Sequence, residues 1–269
     1  MALDDSGFLT IGSQRLEYRM IGPRPDAAPT LVLLHEGLGC VGLWGDFPEQ
    51  LQNATGCGVF VYSRAGYGQS SPVPLPRPLT YMHDEARETL PALLETIGFR
   101  HGLLVGHSDG ASIAALYAGT HQDHRVGGLV LMAPHFFTED PGIASIEEAR
   151  RAYEAGDLKP RLARWHADVD NAFKGWNGAW LDPEFRKWDI TQELGYIRVP
   201  ILIVQGEDDQ YGTVKQIAAA EEECYCPVET VLLPGVKHSP QREAPEPTLK
   251  AISEFVARTR EANAWVRAA

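Results

Sequence analysis

Leu103-Leu104-Val105-Gly106-His107-Ser108-Asp109-Gly110 is the stretch whose reading decides the fold. Its first half is apolar and short, as a strand buried on both faces would be. The run that follows, Ala111-Ser112-Ile113-Ala114-Ala115-Leu116, has the small, apolar make-up of a buried helix. Between them stands Gly106-x-Ser108-x-Gly110, glycines flanking a serine at a sharp strand-to-helix turn. Such a turn holds the serine hydroxyl clear of the sheet, and side chains in place of the glycines would meet the neighbouring strand and helix. Ser108 would then sit at a helix N-terminus, where free backbone N–H groups favour developing negative charge. In a chain with 26 glycines the pentapeptide alone says little. The strand before it and the helix after it give it meaning.

A lone serine is a weak nucleophile, so a base and an orienting acid are expected. In this kind of turn they follow in the order serine, acid, histidine. Val199-Pro-Ile-Leu-Ile-Val-Gln-Gly206 reads as a strand and is followed by Glu207, Asp208 and Asp209. Val228-Glu-Thr-Val-Leu-Leu233 reads as another and is followed by Pro234-Gly235-Val236-Lys237-His238. Both candidates lie past the C-terminal ends of strands, where open parallel sheets place their sites.

With these motifs in this order, the chain resembles the α/β-hydrolase fold family over nearly its full length. The family's Gly-x-x-Asp pattern falls on Gly206–Asp209 and makes Asp209 the acid, with Asp208 the alternative; its Gly-x-x-His pattern falls on Gly235–His238 and makes His238 the base to the nucleophile Ser108. Ser63-Arg64-Ala65-Gly66-Tyr67-Gly68-Gln69-Ser70-Ser71-Pro72 resembles the family's Arg-Gly-x-Gly-x-Ser-x-x-Pro turn. The resemblance implies a mostly parallel, twisted, eight-stranded sheet with helices on both faces and a small helical cap. It also implies an oxyanion hole made by the N–H of Asp109 and an N–H of the loop His35-Glu36-Gly37-Leu38-Gly39-Cys40. Gly37 is the expected donor and Leu38 the alternative, because Glu36 stands where the family usually has glycine. No cofactor and no metal are expected.

The acidic residue after the nucleophile is unusual. Asp109 either caps the following helix or receives a cationic group of the substrate. The second reading would add Glu36 as a partner carboxylate. The Gly-x-Ser-Asp-Gly turn is similar to that of the valacyclovirase, or biphenyl-hydrolase-like, α-amino-acid ester hydrolases.

Alternation of strands and helices organises the remainder. Residues 8–21 read as a hairpin turning near Gly12-Ser13, with strands near 30–35, 58–63, 102–107, 127–133, 199–205 and 228–233. Helices are expected near 80–97, 109–120, 213–223 and 244–262. The hydrolase core is assigned to 1–137 and 197–269, and the cap to 138–196, which reads as helical and carries Trp165, Trp176, Trp180 and Trp188. Trp165 and Trp176 are the cap residues expected to meet substrate. His166, Asp168 and Asp170 read as a solvated helix face rather than a metal site. His35 and His107 read as packed or hydrogen-bonded beside the site.

A net charge of −12 argues against nucleic acid or an anionic membrane as partner. No apolar run reaches bilayer length, and the N-terminus lacks a secretory pattern, so a cytoplasmic location is expected. The four cysteines lack zinc spacing and are expected as free thiols. The sequence leaves the oligomeric state open. The expected function is a serine hydrolase acting through an acyl-enzyme on a small-molecule ester, lactone or amide. The same residues would serve a carbon–carbon bond hydrolase of ring-cleavage products or a cofactor-free haloperoxidase. A non-catalytic binding protein on the same fold is the alternative outside enzymes.

Overall fold

The computed structural model describes residues 3–263. Eight strands form one sheet: β1 (Ser6–Ile11), β2 (Gln14–Ile21), β3 (Thr30–Leu34), β4 (Gly58–Tyr62), β5 (Gly102–His107), β6 (Val126–Met132), β7 (Ile201–Gly206) and β8 (Val228–Leu233). Their spatial order is β1-β2-β4-β3-β5-β6-β7-β8. β1 and β2 pair antiparallel across the Gly12-Ser13 turn, where Gly12 has φ +58°, and β2 pairs antiparallel with β4. All other pairs are parallel.

The central strands are apolar throughout because both faces are covered. Along β3, Leu31 and Leu33 join one core and Val32 and Leu34 the other. Along β6, Val130 and Met132 take the first side, Leu129 and Leu131 the second. The helices Phe47–Thr55 and Pro245–Ala262 cover the first face, the latter through Ile252, Phe255 and Val256. The helix Asp109–Thr120 and the run Tyr81–Asp84, Glu85–Thr89 (a π turn), Leu90–Thr96 cover the second.

Between β6 and β7 lie the helices Asp140–Ala155, Leu158–Leu162, Val169–Trp180 and Thr191–Leu194. One isolated antiparallel bridge, Phe137 to Asp189, is the only strand-like pairing in this stretch among the described residues. The helix Phe47–Thr55 and the 3-10 turn Val41–Trp44 have no counterpart among the expected elements. All four cysteines are free thiols. Among the described residues no helix is long and apolar enough to cross a membrane.

Candidate active site

Ser108 stands at the tip of the turn with φ 53° and ψ −120°, a conformation that costs L-residues roughly 1–3 kcal/mol. The flanking glycines make this turn possible. A Cβ on Gly106 would lie 2.4 Å from Gly110 O, and one on Gly110 only 2.1 Å from Leu34 O. The helix Asp109–Thr120 starts at once, with Ala111 and Ser112 N–H groups donating to Ser108 O. The N–H groups of Asp109 and Gly110, ahead of these, have no acceptor within the helix.

His238, past β8, directs Nδ1 at Asp209, past β7, at 2.8 Å from Oδ1 and 2.9 Å from Oδ2. Asp209 also accepts from Tyr211 N at 2.8 Å and from Gln205 Nε2 at 2.7 Å. Burial opposes the charge of Asp209, but His238 and the Tyr211 N–H hold its pKa below the usual carboxylate value. Asp208 and Glu207 are exposed. Since Nδ1 faces the carboxylate, Nε2 of His238 is left for a proton from a hydroxyl. Ser108 and His238 line the same cavity. His107, the residue before Ser108, donates from Nε2 to His238 O at 2.7 Å and accepts from Gln241 Nε2 at 3.0 Å, so it braces the His238 backbone.

The loop after β3 is held by a buried arginine. Arg64, 2% exposed, donates to His35 O and, at 3.1 Å, to Glu36 O. Its backbone N–H donates to His35 Nε2 at 3.0 Å, so His35 carries its proton on Nδ1 and gives it to Glu36 O at 2.6 Å. Burial, then the Arg64 charge, lowers the His35 pKa well below normal and keeps this tautomer neutral. Gly39 N–H also donates to Glu36 O, at 3.1 Å. A planar trans peptide opposes its C=O and N–H. Pinning Glu36 O toward Arg64 therefore turns the Gly37 N–H the opposite way. Gly37 lines the cavity, with the Trp176 indole lying where a Cβ would be, 2.1 Å from it.

Asp109 departs from the expectation of a helix cap. Its carboxylate makes no capping bond; it accepts from Tyr81 OH at 2.5 Å and Trp180 Nε1 at 3.3 Å. Burial raises its pKa, against the pull of the Arg64 charge. Glu36 lines the cavity too, but its Oε2 turns to His107 Nδ1 at 3.5 Å, and Arg242 lies 3.9 Å from Oε1. Burial works against its charge, while His107 and Arg242 hold its pKa well below normal.

Two expectations for 138–196 are corrected. Trp165 does not line the cavity: it is 42% exposed and packs over Gly42, because its segment runs outside the site. His166 is not on a solvated helix face. It is 4% exposed and precedes the helix Val169–Trp180; Nδ1 accepts from Gly68 N at 2.9 Å, so Nε2 donates to Leu38 O at 3.0 Å. Asp168 caps that helix by accepting from Asn171 N, and Asp170 pairs on the surface with Lys159 and Lys174.

The cavity holds about 120 Å³ and is lined by Ser108, Asp109, His238, Gly37, Leu38 and Glu36 on the core side. Ile146, Trp176 and Trp180 close it from the helices after β6, and His135 and Tyr211 from the loops. His135, Tyr211 and Ile146 were missed by the sequence reading, which named Trp165 and Trp176 rather than Trp180 as the substrate-facing tryptophans. The signal available for His135 was its position three residues past β6.

A model of the alpha/beta hydrolase family matches residues 31–251, and the chain belongs to that family. It is similar to a proline iminopeptidase of Lactobacillus helveticus, 31% identical over 114 residues, 42% of this chain but only 38% of that enzyme. A proline iminopeptidase of Lactobacillus acidophilus is 25% identical over 234 residues, 71% of this chain and 78% of its own. The enol-lactonase from Burkholderia xenovorans LB400 has the same fold: TM-score 0.72 at 17% identity, over 93% of this chain and 100% of the other.

Proposed function

We propose that the chain is a serine hydrolase that cleaves a small carboxylic ester, lactone or amide through an acyl-enzyme. The observation that supports this most is the 2.8 Å bond from His238 Nδ1 to Asp209 at the head of the cavity that Ser108 lines. Ser108 Oγ attacks the carbonyl while His238 Nε2 takes its proton. Asp209 fixes the tautomer and stabilises the imidazolium. The N–H groups of Asp109 and Gly37 receive the oxyanion, the latter aimed by the Arg64 and His35 bonds to Glu36 O. His238 returns the proton to the leaving group, then activates water to release the acid. The helices of 138–196 act as a cap, with Trp176 and Trp180 excluding water.

A cavity of about 120 Å³ suits a short acyl group. Asp109 already has two donors and Glu36 has the Arg242 guanidinium 3.9 Å away, so neither carboxylate calls for a substrate ammonium. Esters without an amine are therefore the better fit.

The test is labelling with a fluorophosphonate together with a panel of p-nitrophenyl esters, lactones, aminoacyl esters and vinylogous diketones. The expected result is labelling at Ser108 and turnover of short esters or lactones. Ser108→Ala should lower turnover by on the order of 10⁴–10⁶ with the fold intact. A Ser108→Ala variant keeping more than roughly a tenth of wild-type turnover overturns the reading, since such a nucleophile contributes orders of magnitude more.

A further inference from the structure

His135 has a place in the cavity that the chemistry above does not use. Its side chain comes from the loop after β6 and is 4% exposed. Among the described residues no hydrogen bond to either ring nitrogen is found, and neither nitrogen is sealed from the cavity; the backbone carbonyl accepts from Ser112 Oγ at 2.5 Å. A ring that opens onto a cavity with its nitrogens unpaired by the protein is placed to meet what enters that cavity.

The ring's position shows what it could meet. It stands edge-on to Trp180, centroids 5.3 Å apart, and 5.5 Å from the His238 ring. Gly212 lies against its Nδ1 side, where a Cβ would come within 3.2 Å of Nδ1 and Cε1. Two of the titratable groups of the cavity wall already have partners: His238 with Asp209, and Asp109 with Tyr81 and Trp180. Burial, then the neighbouring His238, lowers the His135 pKa to about 3. At neutral pH the ring therefore has no charge and offers one donor and one acceptor.

We propose that His135 is a specificity-determining residue whose imidazole hydrogen-bonds a hydroxyl or keto oxygen on the short acyl part of the substrate. This rests on the hydrolase reading above and deepens it. The favoured class is esters or thioesters of small, uncharged hydroxy or keto acids. A neutral ring gives no counter-charge to a carboxylate tail, and Glu36 and Asp109 on the same wall repel one. An all-carbon acyl chain leaves the imidazole unpaired, so the site discriminates by the cost of a stranded polar group.

The experiment compares kcat/KM for p-nitrophenyl 3-hydroxybutanoate, butanoate and hemisuccinate. The wild-type enzyme should favour the hydroxy ester over butanoate by about ten-fold or more, and the hemisuccinate should be the poorest. In His135→Leu the hydroxy-to-butanoate ratio should fall to about one, with the change chiefly in KM. His135→Asn, which keeps a donor and an acceptor, should restore part of it. Equal wild-type rates for the hydroxy ester and butanoate overturn the proposal, and so does a ratio unchanged in His135→Leu. The wild-type comparison stands even if the leucine variant fails to fold. Butanoate turnover with Ser108 labelling but no hydroxyl preference sinks this proposal alone; no turnover and no labelling sink the hydrolase reading with it.

Discussion

Asp209 is held by more bonds than its neighbours in sequence, and the difference gives the first prediction. Its oxygens receive His238, Tyr211 N and Gln205 Nε2, whereas the Asp208 side chain is exposed. Asp209→Asn should lower kcat on the order of 10⁴-fold, because the amide presents the wrong partner to the His238 Nδ1–H. Asp208→Asn should stay within about two-fold, as exposed changes away from a site usually do. Steady-state kinetics of both variants decide it, and a larger loss in Asp208→Asn would refute the assignment. Asp209 was legible because its spacing from Gly206 places it at a strand end. The surroundings of Asp109 were not legible. Tyr81 and Trp180, its donors, lie 28 and 71 residues away, and nothing local announces that they converge. His135 was hidden for a related reason: a histidine after a strand looks like any loop residue until a cavity is seen beside it.

At the scale of elements, the turn around Ser108 was readable because sterics leave few alternatives. Gly110→Ala would drive a Cβ to 2.1 Å from Leu34 O and 2.7 Å from His35 O, backbone atoms that cannot turn aside. It should destabilise the protein by about 3 kcal/mol or more and disturb the loop after β3. Gly178→Ala is the control: nothing lies within 4 Å, the site is exposed, and the helix Val169–Trp180 should gain up to about 1 kcal/mol. Urea titrations of the two variants should move in opposite directions; equal shifts would contradict the steric account. The strands came out within a residue or two of expectation because unbroken apolar runs bounded by turns are distinctive. The helix Phe47–Thr55 did not, since it buries only Phe47, Pro48 and Leu51, too few for a visible period. The π turn Glu85–Thr89 inside the expected helix leaves no mark on the apolar pattern either.

Taken whole, the molecule buries imidazoles that must stay neutral. His35, His135 and His166 all have lowered pKa values, the His135 value at about 3 against 6.5 when unfolded. Below pH 6.5 the unfolded chain binds protons that these rings refuse, so stability is lost as pH falls from about 7 toward 5. Asp209 and Glu36, also lowered, add losses in the same direction at more acid pH, below their unfolded values, while Asp109 and Glu85, raised by burial, act in the opposite direction above theirs. Urea midpoints at pH 7, 6 and 5 should descend, and His135→Leu should show a shallower slope; a flat series would contradict this. The bonds of His166 lead elsewhere. They tie it to Gly68, 98 residues back, and to Leu38, 128 residues back. Contacts of such long span form only after the chain between them has closed, at a cost in loop entropy. The segment around His166 should therefore assemble late and open early, ahead of any loss of the sheet. Hydrogen exchange should see this as faster exchange in Val169–Trp180 of His166→Ala, with β5 and β6 amides unmoved; equal acceleration in both would show that they open together. A chain built this way can loosen its roof without melting its floor, so substrate admission and global unfolding become separate events with separate rates.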